Sequence, residues 1–308
     1  MTRERTLSHY AEYLGLRGAV AAMRLLPFQR AGRVGAAIGA LGYRPLGIRR
    51  AVVERQVRAA FPGLDGVEVA RIARAAYAHL GRTTIETAIT PGMDAAGIRG
   101  LFEGVEGWDQ VERARARGTG ILFVSGHLGN WELGGSFIAA NGMPLEAVAR
   151  RMENPLFDDY ITETRRRIGM SVIHDAEAVR RVPRAMREGH GVAMLVDQGA
   201  VGLASTWVPF FGRYAKTPRG PAVFALRLGA PVVFAVAVRQ PSGRYVMHFE
   251  EVPVQPTGDR ERDVERIVVD YTHTLERWVR RYPEQYFWHH RRWKHQRPGT
   301  PTELGDPS

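Results

Sequence analysis

Apolar and polar positions follow two different periods along the chain, and the change comes near residue 107. Before it the spacing is helical. Leu14, Leu16, Val20, Met23 and Leu26 recur at helical intervals within an apolar stretch, 13–43, that Arg17, Arg24, Arg30 and Arg33 interrupt. That pattern predicts an amphipathic helix with two available destinations, its own domain or an anionic membrane surface. Leu46 to Ala60 predicts a basic helix stopped by Phe61-Pro62-Gly63. Asp65 with Glu68 predicts a capping pair. The helix it opens runs through Ile72, Ala76, Leu80 and Ile85 to about Ala88, and Pro91-Gly92 ends it.

Beyond 107, short apolar runs alternate with helical stretches. The runs are Gly120–Val124, Leu145–Ala149, Met170–Ile173, Val192–Val196 and Pro231–Val238. The helical stretches lie near 131–140, 155–168, 177–188 and 217–228, and Asp263–Arg281 is a final helix. Such alternation predicts an α/β fold, a mixed and mostly parallel sheet flanked by helices. Arg244–Val252 reads as an edge hairpin partner of 231–238. The expected organisation is one domain. It comprises a helical, membrane-proximal N-terminal subdomain over 1–95, an α/β core over 96–297 and a frayed tail over 298–308.

Charge adds a spatial hint. Lys and Arg total 43 against 32 Asp and Glu, a net +11. Residues 1–60 carry 11 basic and 3 acidic groups, and residues 273–308 carry 7 and 4. The stretch between holds 25 of each, so the excess sits at the two ends. Only Lys216 and Lys294 are lysines. The 308 residues contain no cysteine, which excludes a disulfide scaffold, thiolate metal sites and a cysteine nucleophile. No run of 18 apolar residues suggests an ordinary spanning helix, and the N-terminus lacks the pattern of a secretory signal.

The chemistry concentrates between Ile121 and Gly135. A buried strand ends at Ser125, His127 follows, and Asn130 is a good N-cap for a helix with Glu132 in its first turn. Open α/β sheets bind ligands at this carboxyl end. Residues five apart on one helix point about 140° away from each other. If His127 instead sits on the loop before the helix, it can fold back to meet Glu132. Glu132 would then hydrogen-bond one ring nitrogen and leave the other facing substrate. Gly126 and Gly129 would admit a substrate close to the backbone. No G-x-S-x-G elbow occurs, so a His–Glu pair fits general-base activation of a substrate hydroxyl. The alternative is a histidine satisfied by a local helix cap.

The block G-H-L-G-N-W-E resembles the His-x4-acid signature of glycerolipid-type acyltransferases. More specifically, it is similar to that of the bacterial lipid A biosynthesis (late lauroyl/myristoyl) acyltransferase family. Further blocks follow in the same order: Arg49-Arg50 to Phe61-Pro62, Arg150 with Asn154-Pro155, and Val196-Asp197-Gln198. After these come Val208 to Gly212, Thr217 to Pro231, and Tyr282-Pro283-Glu284-Gln285-Tyr286 through Trp288, Arg291, Arg292 and Trp293. The matches span about residues 46 to 297. Three features depart from the pattern: Gln56 where Asn is usual, Gly199 where an acid is common, and the absence of a clean N-terminal spanning helix.

The resemblance implies transfer of a fatty acyl group from a thioester, of acyl carrier protein or coenzyme A, to a hydroxyl of a phosphorylated lipid A precursor. His127 would be the general base and Glu132 its orienting acid. Arg150, Asn130, Asn154, Asp197 and Gln198 are candidates for substrate binding; for Asp197 the alternative is a loop cap, and for Arg150 a solvated surface charge. No metal or cofactor is expected, and His289, His290 and His295 lack carboxylates at ligand spacing. The expected location is the cytoplasmic face of the bacterial inner membrane, peripheral or N-terminally anchored. Three alternatives remain. One is acylation of another glycolipid such as a phosphatidylinositol mannoside. Another is a hydrolase using the same pair. The third is a non-enzymatic membrane or nucleic-acid binder that uses the aromatic, basic stretch from Tyr282 to Arg297 as a stacking platform. No nucleic-acid module is recognisable, and nucleic acid is not an expected partner.

Overall fold

The computed structural model describes residues 6–199, 204–302 and 305–307. Four helices lead the chain: α1 (Leu7–Arg24), α2 (Phe28–Tyr43), α3 (Arg50–Ala60) and α4 (Gly66–Ile89). The stretch 13–43 is therefore two helices rather than one, broken just before Pro27, which cannot continue a helix. Asp65 caps α4 as expected, accepting from the Glu68 N–H at 2.8 Å. Helices α2 and α4 pack backbone to backbone. A Cβ on Gly39 would lie 2.2 Å from the Tyr77 carbonyl oxygen, and one on Gly81 would lie 2.2 Å from that of Gly35. The apolar middle of α2 is thus used for close helix packing.

The α/β part follows with α5 (Ala95–Gly100), β1 (Phe102–Glu106), α6 (Trp108–Arg115), β2 (Ile121–Ser125), α7 (Trp131–Ala140) and β3 (Leu145–Ala149). It continues through α8 (Pro155–Arg167), β4 (Met170–His174), α9 (Ala178–Arg187) and β5 (Gly191–Leu195). A two-stranded hairpin, β6 (Ser205–Phe210) and β7 (Arg213–Pro218), interrupts the alternation. Then come α10 (Gly220–Leu228), β8 (Val232–Arg239), β9 (Tyr245–Val252) and α11 (Arg260–Arg281). Seven strands form one sheet in the order β1-β9-β8-β2-β5-β3-β4. The β8–β9 pair is antiparallel and the other pairs are parallel, so the sheet is mixed and mostly parallel.

The central strands are continuous apolar runs because helices cover both faces. Leu122, Val124, Phe234 and Val236 belong to one core, and Ile121, Phe123, Val233 and Ala235 to the other. Three strands escape the pattern. Strand β1 has two glutamates and one glycine in five residues, yet it pairs outside β9, which is therefore not an edge. The hairpin β6–β7 holds Pro209 and Pro218, tolerable in a two-stranded ribbon where each strand has a free edge. It occupies the first residues of the stretch read as helix 217–228, so α10 begins only at Gly220. The tail expected to fray is held where it is described. Arg291 pairs with Asp306, and Arg213 donates to the Gly305 carbonyl at 3.0 Å.

Candidate active site

Strands β2 and β5 are parallel neighbours in a register that opposes Ser125 to Leu195. Two residues beyond those partners lie His127 and Asp197, level with each other at the carboxyl end of the sheet. Asp197 accepts from the His127 backbone N–H at 2.9 Å through one carboxylate oxygen, and its other oxygen lies 2.7 Å from His127 Nδ1. Asp197 is 2% exposed, whereas 19% of the His127 side chain remains open. The Tyr286 hydroxyl also bonds to Asp197. Burial alone would raise the Asp197 carboxyl. The His127 charge, its two hydrogen bonds and the field of buried Arg292 outweigh burial and hold it at about 2. An ionised carboxylate only accepts hydrogen bonds. Nδ1 therefore donates to that carboxylate, and Nε2 is the ring nitrogen that Asp197 does not engage. The Gln198 side-chain nitrogen lies 3.3 Å from each ring nitrogen. Trp131 and Phe287 bracket the imidazole, with ring centroids 4.8 and 5.8 Å away.

The loop that carries His127 is pinned on all sides. Phe287 N–H donates to the His127 carbonyl at 2.9 Å, Gly129 N–H to that of Gln285 at 3.0 Å, and Asn130 N–H to that of Ala237 at 2.9 Å. Gly129 is left-handed, with φ 62°, and a Cβ there would lie 2.0 Å from the Ala237 oxygen. Gly126 lies against Leu275. Both glycines serve the protein's own packing rather than the approach of a substrate. From α4, the buried His79 Nε2–H donates to the Gly129 carbonyl at 3.0 Å. Burial holds that imidazole neutral, at about 3.

A profile of the bacterial lipid A biosynthesis acyltransferases matches residues 1–295. The chain belongs to that family. The lipid A biosynthesis palmitoleoyltransferase of Escherichia coli K12 is 27% identical over 272 residues, 87% of this chain and 86% of its own. The lauroyltransferase of the same strain is 27% identical over 296 residues, 96% of this chain and 94% of its own. A phosphatidylinositol mannoside acyltransferase of Mycobacterium tuberculosis is 25% identical over 138 residues, 44% of each chain. The protein is an O-acyltransferase, and the ordered motifs along its sequence belong to this family.

In this acyltransferase the acid expected beside the histidine points elsewhere. Glu132 receives the guanidinium of Arg165 on α8, through Nε at 3.0 Å and through Nη2. As the second residue of α7, it turns toward α8, while His127 sits on the loop before α7. Asn130 also departs from its expected role. It is fully buried, caps α7 by accepting from the Leu133 N–H at 3.0 Å, and donates to Glu86 at 3.1 Å. Neither end of its amide is left for a substrate. Asn154 caps α8 and donates to the His9 carbonyl and to Glu12, so it ties α1 to the core. Arg150 follows β3 at the same end of the sheet, half exposed and 3.5 Å from Asp175. Gln198 is brought to His127.

Two contributors escaped sequence reasoning. Tyr286 and Arg292 lie in the C-terminal block that reads as a surface platform. In the fold that block is core: Tyr286, Trp288, Trp293 and Arg292 are buried. Arg292 donates to the Lys216 carbonyl at 2.8 Å and to Thr217 Oγ1 at 2.6 Å. Its backbone N–H reaches Gln56 at 3.1 Å, so glutamine serves where the family usually has asparagine. These buried rings offer no stacking platform for nucleic acid and no aromatic anchor for a bilayer. The alternation of aromatic and basic residues was a true signal, but of an inner wall behind the loop that carries His127.

Proposed function

We propose that the enzyme moves a fatty acyl group from a thioester, carried by acyl carrier protein or coenzyme A, to a hydroxyl of a lipid A precursor. The observation that carries this reading is the His127–Asp197 pair, with Nδ1 bonded to the buried carboxylate and the ring partly open at the end of the sheet. Nε2 takes the proton of the acceptor hydroxyl, and the oxygen attacks the thioester carbonyl. The ester C–O bond forms, the C–S bond breaks, and the imidazolium returns its proton to the leaving thiolate. Asp197 stabilises the imidazolium between those steps. The N-terminus of α7, capped by Asn130 three residues after His127, is a positive dipole end suited to a developing oxyanion. Both reactants are substrates, so the reaction needs no metal or cofactor. The lipid A reading is preferred for the acceptor because the two Escherichia coli lipid A enzymes align over most of their length, whereas the mannoside acyltransferase aligns over 44%. Mass spectrometry of lipids from a deletion strain tests it. A lipid A lacking one acyl chain is expected; an unchanged lipid A beside an altered glycolipid of another class would move the acceptor there.

The N-terminal helices support attachment to an anionic bilayer. Among the described residues no helix is long and apolar enough to cross a membrane. Instead Leu7, Leu14, Leu25, Ile38, Leu41, Leu46 and Ile48 are exposed, and in α1 only Val20 is buried. Exposed Arg24, Arg30, Arg33, Arg44 and Arg49 accompany them. Apolar side chains beside cations suit the interface of the inner membrane's cytoplasmic leaflet. Replacing Ile38, Leu41 and Ile48 by serine is expected to lower partition onto anionic vesicles about tenfold or more in co-sedimentation. Each aliphatic side chain contributes roughly 1–2 kcal/mol on burial. Undiminished partition would reject this surface.

A further inference from the structure

Lys216 and His295 meet at Gly199, two residues from Asp197, and Lys294 is the chain neighbour of His295. The position of a Cβ on Gly199 lies 3.2 Å from the Lys216 carbonyl oxygen, 3.9 Å from Lys216 Cβ and 3.8 Å from His295 Cδ2. Consecutive Cα atoms are about 3.8 Å apart, so Gly199 is within roughly 8 Å of Asp197. Lys216 stands on β7, its backbone fixed by Arg292, and Lys294 precedes His295 in the C-terminal segment. Among the described residues no carboxylate pairs with either lysine. Elsewhere the chain's arginines are extensively matched with acids: Arg165 with Glu132, Arg181 with Glu146 and Arg280 with Glu276 are examples. Burial and the two lysines together depress the His295 imidazole. Lys294 also acts on His290, which lies in the fields of Asp197 and His127.

We propose that Lys216, Lys294 and His295 bind a phosphate ester of one of the two substrates and set it beside the catalytic pair. The inference rests on the acyl-transfer reading for the identity of the ligand. A phosphate dianion matches two ammonium groups and a ring N–H. Ammonium donors rotate freely and hold phosphate as point charges, suited to a ligand that must leave at each turnover. Both substrate classes carry such a group. A carrier or coenzyme donor has the phosphate of its pantetheine arm, and the acceptor is a phosphorylated glycolipid.

Calorimetric titration of the full chain with phosphopantetheine, pantetheine, glucose 1-phosphate and glucose tests this without requiring turnover. At least one phosphorylated probe is expected to bind about tenfold or more tightly than its unphosphorylated partner. Lys216→Gln and Lys294→Gln should each weaken it roughly tenfold, the order of one charge-assisted hydrogen bond, and the double variant should lose the preference. Lys216→Arg and Lys294→Arg, which keep the charge, should retain most of it, which separates loss of charge from loss of fold. Preference for phosphopantetheine assigns the site to the donor, and preference for glucose 1-phosphate assigns it to the acceptor. A wild-type chain indifferent to the phosphate, or a Gln double variant that binds as the wild type does, overturns the site. Phosphate binding without transfer from any thioester would leave the site standing and reject the acyl-transfer reading.

Discussion

Replacing His127 by alanine is expected to cut acyl transfer about 10³-fold while leaving the thermal midpoint within a few degrees of the wild type. A positioned general base contributes roughly 10²–10⁴ in rate. The fold should survive because the imidazole is partly open and the loop keeps its backbone bonds to Gln285, Phe287, Ala237 and Asp197 when the ring is lost. Asp197→Asn is expected to fall nearly as far, about 10²–10⁴-fold. The amide can donate to Nδ1 and so shift the proton to Nε2, the nitrogen that must accept. Steady-state transfer from a thioester to a lipid hydroxyl measures both. If Asp197→Asn kept full activity while Glu132→Gln lost it, Glu132 would take the orienting role despite its bond to Arg165. Near wild-type transfer by His127→Ala would reject the mechanism.

The second large effect is on stability. Glu86 is fully buried in α4, where it accepts from Asn130 and Tyr245 and lies 3.5 Å from Arg82. Burial pushes its carboxyl upward, and those donors oppose the rise. Glu86→Ala leaves the Asn130 amide, the Tyr245 hydroxyl and a mostly buried guanidinium without their acceptor. The expected cost is about 3 kcal/mol, read as a lower urea midpoint. Transfer should fall too, because Asn130 caps α7 only three residues after His127. Glu86→Gln retains the size and one acceptor and should lose markedly less. An unchanged midpoint in Glu86→Ala would show that this network does not hold α4 to the catalytic loop.

Much of this protein is local and was legible in its sequence. Apolar runs marked the inner strands because helices bury both faces, and Asp65 and Asn130 marked helix starts because a cap acts within three residues. The position of His127 at a strand end followed from the same pattern, and the ordered motifs already pointed to the family. Strand β1 and the hairpin β6–β7 were not legible, since their short polar or proline-containing sequences gain their structure from partners remote in the chain. Only the tertiary structure decided which acid meets the histidine. Glu132 is five residues away and faces Arg165. Asp197 is 70 residues away, and the register of β2 against β5 sets it beside the ring. It likewise turned the aromatic C-terminus inward and left Leu7 and Leu14 of α1 and Ile38 and Leu41 of α2 outside. Periodicity along a chain records which face of an element is buried. Which groups meet across elements depends on strand order, register and helix packing, and those are properties of the assembled fold.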